Sequence, residues 1–188
     1  MVDDAHAIGV AGGGRGTAAH FGLSDEVDLI MSTFSKSFAS LGGFIAGDSD
    51  VIHYIKHHAR SLIFSASIPP ANAAAALAAL KVMRSEPERV ERLVQIGDRM
   101  RAAYQRLGFN TGRSETPIIP IIIGDDALTF KTWKTLFDRG VFVNAVISPA
   151  VLPGGQLLRT SYMATHSDAQ LERVLDIFAQ VGKQMGLI

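Results

Sequence analysis

The sequence has no cysteine, which excludes disulfide frameworks and thiolate metal sites and suits a reducing compartment. It has no excess of either charge. Lys plus Arg and Asp plus Glu number 18 each, so no long-range field recruits nucleic acid or an anionic membrane. Charge is also sparse, at 19% against 47% hydrophobic residues, and that balance excludes a disordered chain. No apolar run reaches membrane-spanning length, and no basic segment followed by an apolar one opens the sequence, so neither a transmembrane segment nor export is expected. A cytoplasmic chain of 188 residues is expected, with small-molecule chemistry as its field.

Short β-like runs alternate with longer helical patterns, the order of an α/β protein. Strands are expected at 27–33, 43–47, 118–123, 141–143 and 157–162. Helices are expected at 49–59, from Pro70 to about Met83, and at 87–107, 127–139 and 168–185. A composition shift at "GFNTGRSETP" divides the chain into a larger part, 1–108, and a small α/β lobe, 109–188. The opening "MVDDAHAIGV" reads as the tail of a strand, from which a longer protein is expected, with this chain as its C-terminal portion.

Two motifs carry little. "GVAGGGRG" does not match the spacing of a phosphate-binding loop and reads as a flexible turn. His53, His57 and His58 fall at helical spacing with no carboxylate placed as in a zinc protease, so they read as a solvated helix face, and no metal site is expected.

The segment "DLIMSTFSKSFASLGGFIAGD" places one lysine, Lys36, among small hydroxyl and glycine residues at the end of a buried strand. Joined to Asp3 and His6, it completes a set suited to pyridoxal phosphate: a carboxylate for a protonated ring nitrogen, an imidazole for the ring, and an amine for an aldehyde. Thr33 and Ser35 supply hydroxyl donors for the phosphate.

"VDDAHAIGV", "GRG" and "STFSKSFASLGGFIAGD", followed by "SLIFSASIPP" and "LLRTSYMATH", resemble the α-oxoamine synthases over essentially the whole chain. These are pyridoxal phosphate enzymes of fold type I that join an amino acid to an acyl-CoA with loss of carbon dioxide. The lysine segment looks most like the bacterial serine palmitoyltransferase-like branch and somewhat less like 8-amino-7-oxononanoate synthase, with glycine C-acetyltransferase and 5-aminolevulinate synthase further off; the amino acid implied is serine, alanine or glycine. The resemblance implies that 1–108 belongs to the cofactor-binding large domain and that Lys36 carries the cofactor and takes the α-proton of the amino acid. Asp3 would pair with the pyridinium nitrogen, His6 would contact the phenolic oxygen, Thr33 would hold phosphate, and Arg159 would bind the substrate carboxylate. A structural ion pair is the other reading of Arg159. The resemblance also implies a homodimer with sites at the interface, in which Ser65 donates to the neighbour's cofactor phosphate; a local cap is the other reading of Ser65. Family members are about twice this length, so the chain alone is expected to be an incomplete enzyme. A non-catalytic partner subunit and an aminotransferase of the same fold are the readings outside this class.

Overall fold

The structure, a computed structural model, describes residues 1–188. The chain is α/β and divides into two compact units, Met1–Glu91 and Arg92–Ile188.

In the first unit, β1 (Val2–Asp3) runs parallel to β2 (Leu29–Thr33), and β3 (Gly43–Gly47) pairs antiparallel with β2. The opening strand ends at Asp3 because Asp4 turns the chain: its carbonyl accepts from the Ala7 and Ile8 amides at 3.0 and 3.1 Å. A short helix, α1 (Thr17–His20), was not evident from periodicity, being a single turn. α2 (Ser49–His58) starts on Asp48, whose side chain accepts from the Asp50 amide. The short α3 (Arg60–Ile63) follows it. α4 (Pro70–Ser85) opens with Pro70 in its first turn, where a missing N–H costs nothing. Buried apolar side chains in this unit are few and mostly small: Ala5, Ala18, Ala76 and Val90, with Phe38 the one large member.

The second unit holds the long helix α5 (Glu88–Leu107) from Arg92 onward and an antiparallel sheet in the order β4 (Ile118–Ile122), β6 (Leu157–Ser161), β5 (Asn144–Val146). α6 (Asp126–Asp138) is capped by Asp125, and α7 (Asp168–Met185) by a reciprocal Ser167–Gln170 capping box. Ile96, Met100 and Tyr104, four residues apart on α5, meet Ile119 and Ile121 of β4, Leu158 of β6, and Leu171, Phe178 and Val181 of α7 in one buried cluster.

One expected strand lies elsewhere. β5 is Asn144–Val146 and not 141–143, because that segment's polar backbone is committed to α6. The Val141 amide bonds to the Leu136 carbonyl at 2.9 Å, and the Val143 carbonyl accepts from Trp133 Nε1 at 3.0 Å. Val141 and Val143 are buried, which is why the run looked like a strand.

Candidate active site

Because β1 and β2 are adjacent and parallel, their carboxyl ends reach the same edge of the sheet, the edge where open α/β sheets place ligands. Asp3 ends β1 and Thr33 ends β2. Asp3 is exposed, and its carboxylate accepts from the Ala5 amide at 2.9 Å. His6 is exposed in the turn that follows. Ser35 donates its hydroxyl to Thr33 Oγ1 at 3.1 Å, and Lys36, exposed and in no ion pair, comes next. The structure therefore brings Asp3, His6, Thr33, Ser35 and Lys36 to one sheet edge.

The lysine turn is closed by backbone bonds from the Phe34 amide to the Gly42 carbonyl (2.8 Å) and from the Ser40 amide to the Phe34 carbonyl (2.7 Å). Ala39 sits within it at φ 47°, the only non-glycine residue of the chain in the left-handed region. Such strain persists where surrounding contacts over-determine it, and it gathers at functional sites. Phe38 anchors the turn inward, edge-on to Phe34. Beside the turn lies an apolar cavity of about 760 Å³ walled by Ile8, Phe34, Phe44, Leu77 and Leu80.

Sequence reasoning gave Asp4 no role of its own. It is fully buried, and both its carboxylate oxygens accept from the Thr17 amide at 3.1 Å. Its amide donates to the Met31 carbonyl at 2.7 Å, and its own carbonyl takes the Ser32 hydroxyl at 3.2 Å. Asp4 thus seats the glycine-rich loop against the loop that carries Asp3 and His6. The available signal was the doubled acid before a glycine-rich stretch, since adjacent residues of a strand point to opposite faces. The glycines themselves form a hydrogen-bonded turn in which the Gly9 amide meets the Gly14 carbonyl at 2.9 Å.

Ser65 lies in the connector after α3, with its hydroxyl donated to the Ser61 carbonyl. On α2, His57 and His58 use Nδ1 on the His53 and Tyr54 carbonyls, at 2.8 and 2.9 Å. Arg159 belongs to the second unit. It is exposed between buried Leu158 and Thr160 on β6 and enters no ion pair. With Asn144, Ser161, Tyr162 and His166 it lines a pocket of about 540 Å³. In the wall of that pocket the Tyr104 and Tyr162 hydroxyls share a 2.8 Å hydrogen bond. Burial raises the pKa of both phenols, that of Tyr104 well above its usual value, with the neighbouring Tyr162 adding to the rise.

An acid, an imidazole, an amine and two hydroxyls at one strand edge form a donor set that fits pyridoxal phosphate, with a group for its ring nitrogen, ring oxygen, aldehyde and phosphate.

The chain is 53% identical over 185 residues to a serine palmitoyltransferase of Sphingobacterium spiritivorum, covering 98% of this chain and 46% of that protein. It is 42% identical over 189 residues to an 8-amino-7-oxononanoate synthase of Thermosipho melanesiensis, covering 100% and 48%. Among solved structures it superposes on a serine palmitoyltransferase with its PLP internal aldimine at a TM-score of 0.94 and 32% identity, over 100% of this chain and 48% of that one. The chain spans about half the length of the curated relatives it matches. The family model described as aminotransferase class I and II matches residues 1–178, and the chain belongs to that family.

Proposed function

We propose that the protein of which this chain forms part joins an amino acid to an acyl-CoA with loss of carbon dioxide, as a serine palmitoyltransferase-like enzyme acting in the cytoplasm. The observation that carries this is the position of Lys36, in a braced turn directly after β2, at the edge where Asp3 and His6 emerge from β1. Pyridoxal phosphate, when bound, supplies the delocalisation that makes the α-carbon of an amino acid acidic. Asp3 would keep a proton on the ring nitrogen, and His6 would bond the phenolic oxygen. Thr33 and Ser35 would hold the phosphate with their hydroxyls. Lys36 would hold the cofactor at its aldehyde carbon and, once the substrate's amine has displaced it, would take the α-proton as a free amine, a task that requires it to be neutral during turnover. Arg159 holds the substrate carboxylate because a guanidinium fork matches two carboxylate oxygens.

The working enzyme is a homodimer with Ser65 reaching the neighbour's phosphate. In that state Ser65 exchanges its bond to the Ser61 carbonyl for one across the interface. The 42% identity to an 8-amino-7-oxononanoate synthase favours a second reading, the same condensation with a different amino acid and acyl group.

The test is reduction of the full-length protein with borohydride after loading with pyridoxal phosphate, followed by peptide mapping. The adduct is expected on Lys36, and release of carbon dioxide and free CoA is expected from serine plus palmitoyl-CoA. An adduct on Lys56 or Lys81, or transfer of the amino group to an oxo acid in place of condensation, would overturn the reading.

A further inference from the structure

We propose that Ser37 is a positioning residue that fixes Lys36 against the loop carrying Asp3 and His6, an inference that rests on the reading of Lys36 given above. β1 ends at Asp3, so strand pairing registers these segments no further than Asp3 opposite Met31 and leaves the reactive residues beyond the ladder. Past that point the Ser32 hydroxyl reaches the Asp4 carbonyl at 3.2 Å, and farther out, beyond the strand, Ser37 Oγ of the lysine turn donates to the Ile8 carbonyl of the loop at 2.5 Å. A second feature marks the same contact. Gly9 has φ 80°, and a Cβ there would lie 2.6 Å from Ser37 Cβ and 2.8 Å from its Oγ, so the approach requires glycine in both conformation and space.

The far side of the turn has its own brace. Ser40 Oγ donates to the Asn72 carbonyl at 2.8 Å, in the first turn of α4. Lys36 therefore lies between two hydroxyl struts, Ser37 to the Asp3–His6 loop and Ser40 to α4, while its own amine enters no ion pair that would orient it. Ser37 is exposed, and a structural role there would contribute little to stability. A shift of the amine by about 1 Å, by contrast, costs on the order of a hundredfold in rate when geometry limits the reaction.

The test uses full-length protein and the Ser37→Ala variant, which removes the hydroxyl and keeps the Cβ. In cofactor-free protein, hydrogen exchange is expected to rise in 34–42 and in 7–10 together, by about fivefold, with the thermal midpoint unchanged. In protein loaded with pyridoxal phosphate, kcat is expected to fall about tenfold with KM for the amino acid within twofold. The pH midpoint of the visible absorbance of the cofactor–lysine linkage is expected to move by about half a unit. Unchanged exchange in either segment would overturn the inference, as would an unchanged kcat and titration in an enzyme that condenses its substrates normally. A lowered thermal midpoint with proportionate loss of folded protein would assign Ser37 to packing and likewise overturn it. If wild-type protein fails to form the Lys36 adduct, the functional reading falls on its own, and the exchange experiment still decides whether Ser37 ties the two segments.

Discussion

Replacing Gly16 by alanine tests how Asp4 organises the reactive edge. Gly16 has φ 100° and ψ −176°, a backbone region occupied almost only by glycine, and a Cβ there would lie 2.2 Å from Asp4 Oδ2. Gly13 is a built-in comparison: it has φ 65° and ψ 32°, and a Cβ there would meet nothing within 4 Å. Gly13→Ala then costs only the left-handed strain, about 1 kcal/mol. Gly16→Ala costs strain of about 1–3 kcal/mol. It also pushes the Asp4 carboxylate off the Thr17 amide, a further loss of about 1.5–3 kcal/mol. The two variants should therefore differ by at least about 1.5 kcal/mol, roughly a twelvefold difference in exchange of amides opened by the same local unfolding. Hydrogen exchange across 4–20 measures it, with Trp133 fluorescence following the second unit as an internal comparison. Adding Asp4→Ala to Gly16→Ala removes the oxygen in the way, so the double variant should lose less than the sum of the two single losses. Equal protection in the Gly13 and Gly16 variants, or strict additivity with Asp4→Ala, would refute the role assigned to this contact.

Ala39→Gly should stabilise the first unit by about 0.5–1 kcal/mol. It relieves about 1–2 kcal/mol of left-handed strain at φ 47° and returns part of that as unfolded-state freedom; denaturant unfolding with exchange readout checks the sign, and a loss of stability would contradict it. Tyr104 predicts alkaline behaviour in the second unit. Its folded pKa is raised by burial, so its contribution is present below the unfolded value near 10.0 and is lost progressively as pH rises from there, because the unfolded chain ionises first. Tyr104→Phe should flatten that fall in chemical denaturation, and ultraviolet titration of the native protein should show a phenol that resists ionisation at pH 10.

Periodicity exposed the regular elements because their burial is local to the helix or strand. The spacing of Ile96, Met100 and Tyr104 on α5 is enough to say which face of that helix is inside. The misplaced strand at 141–143 shows where that logic stops: two buried valines look alike whether their backbone pairs with a strand or returns to α6, and only the partner of the Val141 amide decides. The proposed reactive set was chosen by residue type, a lysine among hydroxyls with an acid and an imidazole elsewhere. The contacts of Asp4 and Ser37 were not legible. Each acts through one atom of a chain segment distant in sequence, the Thr17 amide for Asp4 and the Ile8 carbonyl for Ser37, and no local pattern encodes such a meeting.

The two units are held by different physics, and the difference bears on where chemistry resides. The second unit closes a cluster of large apolar side chains, whose cohesion is proportional to buried area and indifferent to small rotations of any one group. At the reactive edge of the first unit the fixed points are directional: the carboxylate of Asp4 on one amide, the hydroxyls of Ser32, Ser37 and Ser40 on three carbonyls, and glycines where a Cβ would not fit. Hydrogen bonds fix orientation to within tens of degrees, which a greasy contact does not. If the edge holds an amine, an imidazole and a carboxylate in one geometry, as proposed, it gains more from such bonds than from added core. It also becomes sensitive to the loss of single hydroxyls that contribute almost nothing to global stability, so the variants that most disturb the reactive geometry are expected among the small polar residues of 32–40 and not among the large apolar ones.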